Sequence, residues 1–188
     1  IPTNLEYLAQ KPESGLKVVE ARDESGYRYQ YYARVDDPEE KPVFWRRKDY
    51  PDVIYRTQEV KLRSICREIL RYHVLGRPLL VGTTSVELSE RLSARLRAEP
   101  LRRLAQTILL RDAFVRIHNI QEDGRQISVL SFLYAAPLAD LDQGAMRKLA
   151  RELGIPFNPE DPINLKRLLE IFELPETYQD RLAAVLQA

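Results

Sequence analysis

Apolar positions recur along this chain at two periods. Between residues 16 and 35 they alternate, with Tyr27, Tyr29 and Tyr31 interleaved with Arg28, Gln30 and Tyr32. Alternation with aromatic residues around Asp23-Glu24-Ser25-Gly26 predicts a β-hairpin of residues 16–22 and 27–35. Residues 43–45 read as one more short strand, after a solvated connector at 36–42 with two prolines and several acids. Residues 1–4 read as an extended lead, 11–15 as a Pro/Gly turn, and the polar stretch 46–55, with Pro51, as a loop.

From residue 57 the period lengthens. Leu62, Ile65, Cys66, Ile69 and Tyr72 share one helical face, so residues 58–73 predict an amphipathic helix, with Thr57 as its N-cap and Gly76 as its stop. Pro78-Leu79-Leu80-Val81-Gly82 is a short apolar run of the kind that forms a buried parallel strand. Thr84 or Ser85 then caps a helix in which Leu88, Leu92 and Leu96 repeat, with Glu87 completing a capping box from Thr84. This helix–strand–helix order is that of an α/β sheet protein. Pro100 is expected to mark a break, followed by a helix over 101–114. A turn is expected at 118–126, around Asp123-Gly124. Residues 127–134 fit a buried strand or a helix equally. Helices are expected over 143–153, closed by Gly154, over 163–174, opened by Asp161-Pro162, and over 176–188 after Pro175.

Composition narrows the picture. The 188 residues suffice for one domain or two small ones, and a hydrophobic content of 44% supplies a core. The formal net charge of +1 argues against a dedicated nucleic-acid binder. One cysteine, Cys66, excludes an internal disulfide and suits a reducing compartment. No apolar run approaches the ~20 residues that span a bilayer. The chain opens at Ile1, its one methionine is Met146, and it closes on an amphipathic run, so both ends are expected to be internal to a longer protein.

Candidate chemistry is sparse. No GxGxxG or GxxxxGK[ST] loop is present. Gly82, Thr83 and Thr84 lie at a strand-to-helix turn whose free amides suit an anion, although simple capping is the more ordinary use of such a turn. His73 and His118 are far apart and lack ligand-like neighbours. Cys66 falls on the apolar stripe, and no serine sits in a nucleophile elbow. Arg46-Arg47-Lys48 follows Phe44-Trp45, a pairing that can bind single strands, but Asp49 and Asp52 dilute the charge. A solvated loop anchored by Trp45 is the preferred reading, with the tyrosine row packing one hairpin face.

Two linked blocks carry a resemblance. Ile1-Pro2-Thr3-Asn4 with Arg47-Lys48-Asp49-Tyr50-Pro51-Asp52-Val53-Ile54-Tyr55-Arg56-Thr57, then Gly76-Arg77-Pro78-Leu79-Leu80-Val81-Gly82-Thr83-Thr84-Ser85-Val86-Glu87-Leu88-Ser89-Glu90, resemble in order and spacing the second nucleotide-binding domain of SecA, the preprotein translocase ATPase. Residues 182–188 look like the end of the helix before the family's next strand. In the family pattern the first block is nearly continuous and the helix after the second is short, so residues 6–45 and 98–175 read as insertions.

The resemblance implies an α/β fold: a partial RecA-like lobe at 1–5 and 46–97, a β-hairpin insertion at 6–45, a mainly helical insertion at 98–175, and a returning helix at 176–188. It implies a fragment of an ATP-driven motor that moves secretory preproteins through a membrane channel. The family's Walker elements and arginine finger have no counterpart here, so no catalytic residue is carried over, and Gly82, Thr83 and Thr84 remain a weak nucleotide-binding candidate. ATP and Mg2+ are expected in the intact parent and not in the fragment, and no metal site is expected. Expected partners are the first nucleotide-binding lobe and, through the parent, preprotein and channel, with no nucleic acid. A homodimer of the fragment that covers open strand edges is a further expectation, as is a cytoplasmic location, peripheral at the inner face of the cell membrane. The alternatives are the second lobe of a nucleic-acid helicase and a stand-alone protein-binding module.

Overall fold

A computed structural model describes residues 4–24, 26–121 and 127–187. They fall into two compact units, divided between Ile54 and Tyr55. Of the expected features, most of the extended lead, Ser25 of the hairpin turn, the Asp123-Gly124 turn and Ala188 lie outside the described residues.

The first unit is a three-stranded antiparallel sheet with a short helix. Helix α1 spans Asn4–Ala9, so Asn4 opens a helix rather than ending an extended lead. Strands β1 (Leu16–Arg22) and β2 (Arg28–Arg34) form the hairpin, and β3 (Phe44–Trp45) pairs with the other edge of β2. The turn is held locally. Gly26 takes φ +79, and the Asp23 carboxylate accepts the Tyr27 N–H at 3.0 Å. The register sets Ala21 opposite Tyr29, Val19 opposite Tyr31 and Trp45 on the far side of Tyr31. Tyr32 and Ala33 are buried, with Tyr32 packed on Phe44 at 4.8 Å. Glu6 of α1, itself buried, accepts the Arg47 N–H at 2.7 Å and so fixes the chain leaving β3.

The second unit is helical. Its helices are α2 (Gln58–Val74), α3 (Val86–Arg95), α4 (Ala98–Ile117), α5 (Gln143–Glu152), α6 (Pro162–Ile171) and α7 (Gln179–Gln187). Helix α4 contacts α2, α3, α5, α6 and α7. It buries Leu101, Leu104, Leu109, Leu110 and Phe114, and even Arg103, Gln106 and Thr107, as expected of a helix surrounded on most sides. Leu62, Cys66, Leu70 and Val74 of α2 form an i+4 stripe against it, with Met146, Leu168, Leu182 and Leu186 from the later helices in the same core. Each fully buried leucine contributes roughly 1.5–3 kcal/mol relative to exposure, against about 1 kcal/mol for a typical helix cap, and the leucines here are many. Packing on α4 is therefore what organises this unit.

Several expectations change here. Leu79–Val81 forms no strand: residues 77–83 are irregular, and Leu80 is 101% exposed. A strand needs neighbouring strands for its N–H and C=O groups, and the sheet among the described residues is built entirely from β1, β2 and β3. Pro100 does not break a helix but lies in the first turn of α4, where the missing N–H has no helical partner to lose. The ambiguous stretch at 127–134 is a 3-10 helix over Ser128–Tyr134. Leu130 and Leu133 are buried three residues apart, on one face at that pitch. Asp161 caps α6 as expected, its carboxylate accepting the Ile163 N–H at 2.9 Å.

Candidate functional site

The turn at residues 82–85, which precedes α3 without a strand before it, lies on the surface of the helical unit. Ser85, rather than Thr84, is the N-cap of α3: its Oγ accepts the Leu88 N–H at 3.2 Å. Thr83 Oγ1 donates to the Ser85 carbonyl at 3.1 Å. Gly82 stands in open space, with nothing within 4 Å of a Cβ built on it. The geometry is that of a capped helix start, not a cradle with backbone pressed around a phosphate. Among the described residues no group of three or more His, Cys, Asp and Glu side chains is placed to hold a metal.

A largely buried ion network joins α2, α3 and the 3-10 helix Ser128–Tyr134. Arg63, 5% exposed, bonds Glu59 at 2.9 Å and donates to the carbonyls of Leu133 (2.5 Å) and Ala136 (2.7 Å). Arg95 of α3 reaches the second Glu59 oxygen at 2.7 Å. Burial opposes ionisation of Glu59, but the hydrogen bonds from Arg63 and Arg95 outweigh it and hold the carboxyl below its ordinary value. Cys66 lies close enough to feel both Arg95 and Glu59, and burial pushes its thiol up to about 11. A thiol so protonated is a small core side chain and not a nucleophile. Neither histidine gains a functional partner: His118 packs on Phe114 at 4.1 Å with Nδ1 2.9 Å from its carbonyl, and His73 ends α2.

The sequence reading missed two hollows. An apolar cleft of 840 Å³ lies between Ile69, Leu70 and His73 of α2, Leu96–Leu101 around the α3–α4 junction, and Ala184 and Val185 of α7. Nothing local signals it, because it arises from three helices that meet only in the fold. In the sheet unit, a cleft of 390 Å³ is lined by Tyr29, Arg28, Gln30 and the Arg46–Arg47–Lys48 cluster. Trp45 does not anchor that loop in a core. It is 61% exposed, its ring edge-on to Tyr29 at 5.3 Å and Tyr31 at 5.5 Å. Among the described residues no helix is long and apolar enough to cross a membrane.

Comparison with known proteins bears on the same stretch. Residues 44–118 match the family model of the SecA P-loop domain, though they contain no GxxxxGK[ST] loop themselves. The chain is 57% identical over 60 residues to the protein translocase subunit SecA of Chloroflexus aggregans, covering 32% of this chain and 6% of that protein. It is 53% identical over 60 residues to the subunit from a Synechococcus species, with the same coverage. With the Aquifex aeolicus subunit it shares 37% identity over 92 residues, 49% of this chain and 9% of that one. The chain thus spans less than a tenth of the length of these relatives. No solved structure matches. The chain carries, over about a third of its length, a segment related to the protein translocase subunit SecA.

Proposed function

We propose that this chain is part of the second nucleotide-binding lobe of a SecA-type motor, in which it serves a structural and regulatory role and contributes no catalytic group. The observation that carries this reading is the linkage of two blocks, 47–57 and 76–90, in the family's order and across a helix of the family's length, inside the matched stretch 44–118. ATP and Mg2+ would be held by the rest of the parent. Closure of the first lobe on the second would drive preprotein through the membrane channel, from a position on the cytoplasmic face of the membrane. The parts of residues 6–45 and 98–175 that lie outside the matched stretch 44–118 would be insertions offering contact or regulatory surfaces.

The exposed Leu79-Leu80-Val81 run supports this reading. An apolar triplet with strand-forming sequence in open solvent is costly unless something covers it. In an intact lobe, neighbouring strands would supply the missing ladder. The relatives named above are translocase subunits, which does not favour the helicase alternative.

The test is a transplant. The matching stretch of the Chloroflexus aggregans SecA is replaced by that of this chain, and ATP turnover and preprotein translocation are measured. Both activities are expected to survive within about an order of magnitude of the unaltered protein. A folded chimera with neither activity would count against the assignment.

A further inference from the structure

The sheet unit presents a feature that the motor reading does not use. Tyr29 and Tyr31, two apart on β2, meet Trp45 of β3 across the strand pair, and the Trp45 ring is mostly in solvent. The chain after Trp45 continues beside β2, with the Arg46 N–H bonded to the Gln30 carbonyl at 2.8 Å. It thereby brings Arg46, Arg47 and Lys48 to the same end of the sheet as Arg28, around the 390 Å³ cleft. The cleft wall holds four cations against the single carboxylate of Glu20. Arg47 is paired with Asp49 at 2.6 Å, the Arg46 guanidinium donates to the neutral amide oxygen of Gln30 at 2.9 Å, and Lys48 lies over the Tyr50 ring at 5.1 Å. Acids flank this cleft on both sides, Asp23 and Glu24 in the hairpin turn and Asp49 and Asp52 after Lys48, and four more, Asp36, Asp37, Glu39 and Glu40, follow the far end of β2.

We propose that this end of the sheet docks a short acidic, aromatic-bearing segment of a partner protein, its carboxylates meeting Arg28, Arg46 and Lys48 and its apolar side chain covering Trp45. Tyr, Trp and Arg are the residue types that dominate protein–protein binding energy, and here they are adjacent, with Trp45, Arg28 and Arg46 exposed and Tyr29 and Tyr31 half-buried beside them. The guanidinium groups of Arg28 and Arg46 suit bidentate capture of a carboxylate. The surroundings decide against a long polyanion. Residues 1–54 carry nine Lys+Arg (11, 17, 22, 28, 34, 41, 46, 47, 48) and eleven Asp+Glu (6, 13, 20, 23, 24, 36, 37, 39, 40, 49, 52), a net charge of 9 − 11 = −2. A nucleic-acid strand or an anionic membrane would meet the acids that flank the cleft, whereas a short segment engages only the cation-rich cleft wall. The proposal rests on this unit alone and stands or falls separately from the motor assignment.

Trp45 is the one tryptophan in the chain, so its emission reports on this site directly. The full chain is titrated with a short synthetic peptide alternating Asp and Phe. Parallel titrations use its Lys/Phe counterpart, oligothymidylate, and phosphatidylglycerol vesicles. The expected result is a saturable change in Trp45 emission with the acidic peptide alone, weakened by salt. Affinity should fall about tenfold in the double variant Arg28→Gln/Arg46→Gln, and less in Lys48→Ala, whose exposed side chain leaves the fold intact. Far-ultraviolet circular dichroism confirms the sheet in each variant. No response to the acidic peptide, an equal response to the basic one, or tighter binding of oligothymidylate or vesicles would overturn the proposal. So would acidic-peptide binding indifferent to all three substitutions.

Discussion

Glu173 occupies a backbone position that glycine usually takes. Helices α2, α4, α5 and α6 end in the same way. The residue past the end takes positive φ, and the following N–H reaches back five residues: Arg77 to Tyr72, Ile120 to Val115, Ile155 to Ala150, and Leu174 to Leu169. This is the Schellman closure, which satisfies orphan carbonyls at a helix end. Gly76 and Gly154 fill the left-handed position without strain, at φ +75 and +67, and Asn119 is tolerated at φ +49. Glu173, at φ +54, meets the steric penalty in full. Its ion pair with Arg71 at 3.0 Å is exposed on the Glu173 side, so it offsets little. Glu173→Gly is therefore expected to stabilise the helical unit by about 0.5–1 kcal/mol, read as a higher urea midpoint with an unchanged slope. A lower midpoint would mean that the ion pair outweighs the backbone term. At this scale the sequence was legible where one residue decides the outcome. Thr57, Asp161, Gly76 and Gly154 act as read, because caps and stops are local. Glu173 was not legible, since nothing in its side chain announces a left-handed backbone.

Between elements, two carboxylates act as rivets. Glu59 ties α2 to α3 through Arg95, and Asp112 on α4 takes both arms of Arg167 on α6, at 2.6 and 2.8 Å. For Asp112 too, burial opposes ionisation and is outweighed by hydrogen bonds from Arg167 and Arg116, so the carboxyl sits below its ordinary 3.8. Glu59 sits below its ordinary 4.5. Both values are depressed on folding, so the unfolded chain takes up protons first as pH falls. The stability these groups contribute is fully present above the unfolded values and is lost as pH falls through the folded ones. The urea midpoint should therefore be nearly level at pH values well above these ordinary ones and decline progressively as pH falls through them. In Asp112→Asn that acid decline should be shallower; an identical decline would remove Asp112 from the account. Helices and hairpin were legible at this scale because their periods are written in neighbouring residues. The Leu79–Val81 strand was not, because a strand is made by partners. The central place of α4 was also hidden, since Pro100 looked like a break.

At the scale of the whole molecule, the matched stretch 44–118 runs from β3 through α2 and α3 to the end of α4, so it includes both the sheet unit's last strand and the core helix of the other unit. The family resemblance was legible in the sequence because two blocks agree in order. The aromatic and basic end of the sheet was not, because only the pairing of Tyr31 with Trp45 brings the tyrosine row and the 46–48 cluster together. Leu80 is where the motor reading is most exposed to test. In this chain its side chain lies wholly in solvent, so Leu80→Asp should leave the chain's own stability within about 0.5 kcal/mol. In an intact lobe the same position would lie within a sheet buried on both faces, where an unpaired carboxylate is not tolerated. The measurement is ATP turnover by the chimeric translocase carrying Leu80→Asp, with the stability of the isolated variant chain determined alongside. The account predicts an undisturbed isolated chain and a chimera whose turnover is lost; a chimera that keeps its turnover would contradict it.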